Sequence, residues 1–292
     1  MPRKLELLLG YHRPRFDFFI GGAKLCLGHE TKLMGVLNVT PDSFSDAGRF
    51  MDPARAEAQA IRMQEEGAHV IDVGGESSRP GSKPISAQEE IRRIKPVLKR
   101  LSRKIQIPLS VDTSKTEVAR MALDEGVLVL NDIYALRNDK RLAKLIARYK
   151  AGVILMHMRG NPKTMQNRLD YRDLLSEISV YLSKAVRFAL DSGIPRHSIV
   201  VDPGFGFGKS IEQNLEILKH LNAFSSLKCP ILVGLSKKSF IGNALQAPVS
   251  DRLYGSLGAA AVAIQNGAHI LRVHDVLPHK QLSSLIDLTM RG

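Results

Sequence analysis

The sequence is poor in cysteine and aromatic residues, lacks tryptophan, and has fewer acids than bases. Of its 292 residues only two are cysteines, Cys26 and Cys229, with no CxxC pair and no His beside either. That excludes a disulfide framework and a cysteine-based zinc site, and leaves the expectation of two buried thiols in a reducing compartment. Long apolar runs are also missing. The early run at residues 7–9 is far too short for a signal peptide or a membrane span, so the N-terminus is expected to belong to a mature cytoplasmic chain with no membrane partner. Aromatics make up 5% of the chain. A nucleic-acid groove built on stacking platforms therefore has little material, no nucleic-acid motif is present, and nucleic acid is not expected as a partner.

Enough apolar residue is present, 44% against 24% charged, to bury a real core, which excludes disordered and fibrous classes. Forty-two Lys and Arg against 29 Asp and Glu leave a net charge of +13. Such an excess fits nucleic acid, an anionic small substrate, or a solvated basic surface. Much of it falls on two predicted helices. One carries Arg92, Arg93, Lys95, Lys99, Arg100, Arg103 and Lys104 with no acid among them, and the other Lys140, Arg141, Lys144, Arg148 and Lys150. Both are expected to be solvated and remote from any site.

One pattern recurs along the chain. A helix-like stretch ends in Gly, and a short run of Val, Ile and Leu follows, ending in a polar residue. It appears at residues 65–75, 124–132, 150–158, 191–204 and 265–275. Gly67, Gly126, Gly152, Gly193 and Gly267 fit the position just past a helix, where a left-handed backbone tolerates no Cβ strain. The continuous apolar runs suit parallel strands buried on both faces. With the runs at 33–38, 108–111 and 231–234 they make eight candidate strands. Helix starts are readable between them: Asp52 before Pro53, and capping boxes at Ser86 to Glu89 and Ser114 to Glu117. Length alone suggests two domains at about 150 residues each, but eight strand–helix alternations point to one (β/α)8 barrel spanning 33–292. Residues 1–32 form an extension, in which Phe16–Ile20, Gly21-Gly22 and Ala23–Leu27 read as a β-hairpin closing the bottom of the barrel.

In such barrels the chemistry lies at the C-terminal strand ends. Those ends read Asn38, Asp72, Asp112, Asn131, His157, Asp202, Ser236 with Lys238, and Arg272 with His274. Carboxylates and amides suit an NH-rich heterocycle, whereas Lys, Arg and His suit a phosphate. Long loops at 39–50, 74–85 and 158–170, rich in Gly, Pro, Ser and charge, fit a functional mouth. The segment PGFGFGKS (203–210) invites comparison with a phosphate loop, but Pro203 stands where the first Gly is required. Gly204, Gly206 and Gly208 are better read as bringing backbone close to a flat ligand, with a helix N-terminus near Lys209. Phe205 and Phe207 wall that pocket unless one of them belongs to the core.

MGVLNVTPDSFSD (34–46), IDVGGESSRPG (71–81), SVDTSK (110–115), LMHMRGNPKTMQ (155–166), DPGFGFGKS (202–210), VGLSKKSFIG (233–242) and RVHDV (272–276) closely resemble the dihydropteroate synthase family. The match runs from about residue 33 to the C-terminus. It implies a transferase of folate biosynthesis, a Mg2+-dependent homodimeric barrel. This would join 6-hydroxymethyl-7,8-dihydropterin diphosphate to 4-aminobenzoate, releasing diphosphate, and would be open to sulfonamides. By resemblance Asp112, Asn131, Asp202, Lys238 and Arg272 hold the pterin. Asn38, Ser78, Arg272 and His274 take the diphosphate, with Asn38 also a Mg2+ ligand. Phe44, Ser78, Arg79, Pro80, Phe207 and Ser239 frame the aminobenzoate. Asp46, Arg79, Lys238, Arg272 and His274 are the candidates for catalysis, while Met156 and His157 read as packing. Ser78 stands where the family usually has Thr, and Lys237 where it usually has Arg. A methyltransferase sharing the pterin barrel is the alternative, but the 34–46 and 71–81 motifs together with SKKS favour the synthase.

Overall fold

The computed structural model describes residues 13–40, 52–79, 81–166 and 169–291. Two antiparallel strands, β1 (Phe16–Ile20) and β2 (Ala23–Leu27), come first. Eight parallel strands follow: β3 (Lys32–Asn38), β4 (Val70–Gly74), β5 (Leu109–Asp112), β6 (Val129–Asp132), β7 (Gly152–Met156), β8 (Ile199–Asp202), β9 (Leu232–Val233) and β10 (Ile270–Val273). Their order is β8-β7-β6-β5-β4-β3-β10-β9, and a bridge between Val201 and Ile231 joins the two ends into a barrel. β9 is shorter than the 231–234 run expected from the sequence. Pro230 has no N–H to give the ladder and contributes only its carbonyl, to Val201 N at 2.9 Å.

Helices α1 (Pro53–Glu65), α2 (Ala87–Lys104), α3 (Thr116–Asp124), α4 (Arg141–Tyr149), α5 (Leu174–Asp191), α6 (Ile211–Lys219), α7 (Ser239–Leu245), α8 (Leu253–Gln265) and α9 (Val276–Arg291) surround the sheet. Asp52 caps α1 ahead of Pro53, and Ser86 caps α2. The Glu89 carboxylate, expected to complete a box, binds Arg92 and Arg93 instead. The Ser114 box does not form: Lys115 is the N-cap of α3, and Ser114 Oγ accepts from Asn138 Nδ2 at 3.1 Å. A full box closes at Ser210 and Gln213. Gly67, Gly126, Gly193 and Gly267 have the left-handed backbone expected of them. Gly152 does not. Lys150 turns the chain there, with φ 54°, and Gly152 is glycine because a Cβ would lie 2.6 Å from Phe18 Cζ and Ile20 Cγ2.

That contact locates the hairpin. Phe18, Ile20 and Leu27 pack with Met34, Val70, Val129, Ile154, Val200, Leu232 and Ile270, mostly near the strand starts, and so plug the bottom. Ser198 Oγ donates to Phe19 O at 2.8 Å. The larger core lies between barrel and helices. Two expectations change. Cys26 is exposed and only Cys229 is buried. The basic α2 is also partly neutralised from outside its own basic run: Arg92 and Arg93 by Glu89, Arg100 by Glu57 at 2.5 Å, and Lys95 by Glu125 at 3.9 Å. Among the described residues no helix is long and apolar enough to cross a membrane.

Candidate active site

Parallel pairing brings the polar strand ends to one mouth. Asp112 sits opposite Gly74 on one side and Asn131 on the other, and Asn38 pairs with Gly74. Arg272, on β10, reaches across: Nε donates to Asp72 Oδ2 at 2.7 Å and Nη2 to Asp112 Oδ2 at 2.9 Å. Asn131 Nδ2 donates to the same Asp72 oxygen at 3.0 Å. A carboxylate can only accept, so Asp72 decides which way the Asn131 amide points and leaves its carbonyl and second N–H for the cavity. Asp72 is fully buried, and its Oδ1 accepts no hydrogen bond from a described residue.

On the opposite side Asp202 Oδ1 accepts from Gly204 N at 2.7 Å. Lys238 Nζ lies 4.1 Å from the centre of the Phe207 ring. Asp112, Asn131, Asp202, Lys238 and Arg272 thus line a small cavity of about 20 Å3, with Met156, Ile133, Phe205, Phe207, Gly234 and Ser78 as its other walls. Both phenylalanines line it, in different settings. Phe205 is buried and stacked on Phe240, with ring centres 6.2 Å apart, while Phe207 forms the wall beneath Lys238. A wider cavity of about 190 Å3 adjoins, sharing Ser78, Asp112 and Ile133 and lined further by Glu76, Ser77, Ser82, Pro84 and the loop at 161–163. Its loop is anchored by Lys115, whose Nζ donates to Glu76 Oε2 at 2.6 Å and to the buried Glu90.

The electrostatics follow from burial. Desolvation lifts Asp112 to about 7 against the pull of Arg272, and Asp202 to about 6 against Gly204 N–H and Lys238. Lys238 falls to about 8, by burial and then by repulsion from Arg272. His274 falls to about 3 for the same two reasons, so it is neutral. Its Nδ1 lies 3.1 Å from Ser236 Oγ, which leaves Nε2–H as a donor when Nδ1 accepts. It serves as a hydrogen-bonding group rather than as a cation.

Asn38, Ser78, Phe207 and His274, with Asp112, Asn131, Asp202, Lys238 and Arg272, therefore lie at the C-terminal strand ends. Ser239 is the exposed first residue of α7. Arg79 is exposed and lines neither cavity. Phe44, Asp46 and Pro80 lie outside the described residues. Asp72 and Lys209 were not anticipated as members. Asp72 had stood out only as one polar strand end among eight, and Lys209 only as the end of a failed phosphate motif. Among the described residues no three His, Cys, Asp or Glu side chains gather around a metal position. A hard dication fits this mouth only as one held largely by substrate oxygens and water. Asn38, paired with Gly74 at the strand end, can supply one amide oxygen.

A small cavity with an acceptor floor thus adjoins a wider one lined by hydroxyls and Lys163. A family model, pterin binding enzyme, matches residues 34–274. Dihydropteroate synthase of Synechocystis sp. is 42% identical over 289 residues, covering 99% of each chain. The Yersinia pestis dihydropteroate synthase, solved with a sulfonamide drug complex, superposes with TM-score 0.90 at 37% identity, covering 95% of this chain and 100% of that one. The Xanthomonas albilineans enzyme with 4-aminobenzoic acid gives TM-score 0.87 at 38% identity, covering 96% and 99%. The chain belongs to the dihydropteroate synthases, transferases among the pterin binding enzymes. The relatives favour this reading over the methyltransferase.

Proposed function

We propose that the chain condenses 6-hydroxymethyl-7,8-dihydropterin diphosphate with 4-aminobenzoate, giving 7,8-dihydropteroate and diphosphate. The carrying observation is the acceptor-rich cavity floored by Asp202, Asn131 and Asp112 with Lys238 and Arg272 at its edge. The pterin presents adjacent ring N–H and exocyclic NH2 donors, which the Asp202 carboxylate accepts together. Asn131, pre-oriented by Asp72, offers a carbonyl and an N–H to another edge. Lys238 reaches a ring heteroatom, and Arg272, held by Asp72 and Asp112, presents its guanidinium plane to the ring and its charge toward the diphosphate.

The reaction breaks the bond between the pterin methylene carbon and the diphosphate oxygen, forms a bond from that carbon to the aniline nitrogen, and releases one proton from nitrogen. The aniline is neutral at pH 7, so attack needs no strong base. The electron-rich dihydropterin delocalises positive charge on the methylene, which favours departure before attack, an SN1-like step in a site that excludes water. Arg272, the His274 N–H and the Ser78 hydroxyl receive the departing diphosphate. Mg2+, when bound, adds neutralising charge there, with Asn38 as the protein donor. Phe207, Ser78 and Ser239 frame the aminobenzoate, joined by Phe44, Arg79 and Pro80, while Asp46 stabilises the cation or the attacking amine.

The working enzyme is read as a cytoplasmic homodimer. The exposed Leu245, Val249, Tyr254 and Val262 on and between α7 and α8 support a self-association face, and sedimentation at micromolar concentration tests it. The function is tested by mixing both substrates with Mg2+ and measuring dihydropteroate and diphosphate. Equal amounts of each are expected, and pterin binding without product would overturn the assignment. Sulfonamides are expected to compete with 4-aminobenzoate. Inhibition that additional aminobenzoate cannot reverse would contradict the assigned pocket.

A further inference from the structure

The GFGFGK segment has left-handed glycines at alternate positions, with φ 73° at Gly204, 77° at Gly206 and 68° at Gly208. In a phosphate loop such alternation turns N–H groups inward around an anion. Here carbonyls turn inward around a cation, and the cation is the chain's own. Lys209, 4% exposed, donates from Nζ to Gly204 O at 2.8 Å and Phe207 O at 3.1 Å, and its Nζ lies 3.0 Å from His157 Nδ1. The two carbonyls can only accept, so they take two of the three ammonium hydrogens, and the third is left for Nδ1.

The surroundings agree with that assignment. His157 lies well below the usual imidazole range because it is buried and faces Lys209, Arg137 and Arg159, so it is neutral. Its ring meets Tyr181 edge-on at 4.6 Å, which fixes its plane. Among the described residues no carboxylate touches Lys209, yet Asp202 attracts it while Lys238 repels it, and burial brings it to about 7. Both ends of the loop it gathers belong to the site. Gly204 N–H binds Asp202 Oδ1, and Phe207 carries the ring beneath Lys238.

We infer that Lys209 is a positioning residue whose Nζ, clamped by Gly204 O, Phe207 O and His157 Nδ1, holds the Phe207 wall and the Asp202 carboxylate in place for the two substrates. It touches neither substrate. The inference rests on the synthase reading, and a wild-type protein that forms no product would defeat that reading before any variant is compared.

Lys209→Met keeps the stem and removes the donors. It is expected to raise the KM for 4-aminobenzoate about tenfold and that for the pterin about threefold, with kcat changed less than about threefold. His157→Leu removes one acceptor of the clamp and should give a smaller rise in the same direction. It keeps the test open if Lys209→Met does not fold. At about pH 5 to 6, where Lys209 is an ammonium, 15N spectra of labelled histidine in the wild type should report His157 as neutral and protonated on Nε2. A folded variant with wild-type KM values for both substrates, or a His157 carrying its proton on Nδ1, overturns the inference.

Discussion

The two ends of the barrel are built on opposite terms. At the bottom, Phe18, Ile20 and Leu27 fill the opening with hydrocarbon. At the mouth, Asp72, Asp112 and Asp202 face Arg272, Lys238 and Lys209, all at least partly withdrawn from water. Opposed charges balance there, but burial pushes Asp112 and Asp202 up and Lys238 and Lys209 down, so each resists carrying its charge. The bottom stabilises the fold, and the mouth holds unfavourable electrostatics that a substrate can relieve.

Phe18→Ala should separate the ends most sharply. Emptying the plug is expected to cost about 3–5 kcal/mol in denaturant unfolding. KM values should stay within about twofold, since nothing at the mouth moves. A large KM change would mean that the ends are coupled.

Asp202→Asn should do the reverse. Losing the anionic acceptor is expected to weaken pterin binding by about 2–3 kcal/mol, roughly 30- to 150-fold by calorimetry. Stability should hold or rise, because a buried charge disappears. The pH dependence carries the same signature. With its folded value raised to about 6 from 3.8, Asp202 binds more protons folded than unfolded between those values. Its burial penalty is therefore fully present above pH 6 and fades as pH falls toward 4, so this group's contribution to stability increases on acidification. Pterin affinity should fall over the same interval as the carboxylate protonates. The difference in Tm between wild type and Asp202→Asn, followed from pH 8 to 4, should shrink. A constant difference would refute the burial argument.

Gly152→Ala is a smaller change. Its methyl would press on Phe18 and Ile20, costing about 1–3 kcal/mol. Adding Phe18→Ala should remove much of that cost, a non-additivity visible in a double-mutant cycle. Ser78→Thr is the smallest. One added methyl at the junction of the two cavities is expected to change the aminobenzoate KM by no more than about fourfold, with Tm unmoved.

Legibility followed the range of the interaction. The left-handed glycines after the helices, the Asp52 and Ser86 caps and the hairpin turn were readable because each is settled within a few residues. Gly152 looked like another cap, but its reason lies in Phe18 and Ile20, more than a hundred positions earlier. Ser114 looked like a capping residue until Asn138 claimed its hydroxyl. The acid-free run on α2 looked uncompensated because Glu57 belongs to α1 and Glu125 follows the end of α3. Asp72 could not be recognised as the residue that orients Asn131 and Arg272, since those partners lie 59 and 200 positions away.

By itself the sequence determined the barrel, the bottom plug and the polar residues that end its strands. Periodicity, caps and chain direction are local properties that survive without a partner in view. Only the tertiary structure decided that Asp72 orients Asn131 and Arg272, that His274 is neutral, and that Lys209 turns inward to hold a loop. Those outcomes depend on burial and on the distance between charges, and neither exists until the eight strands close.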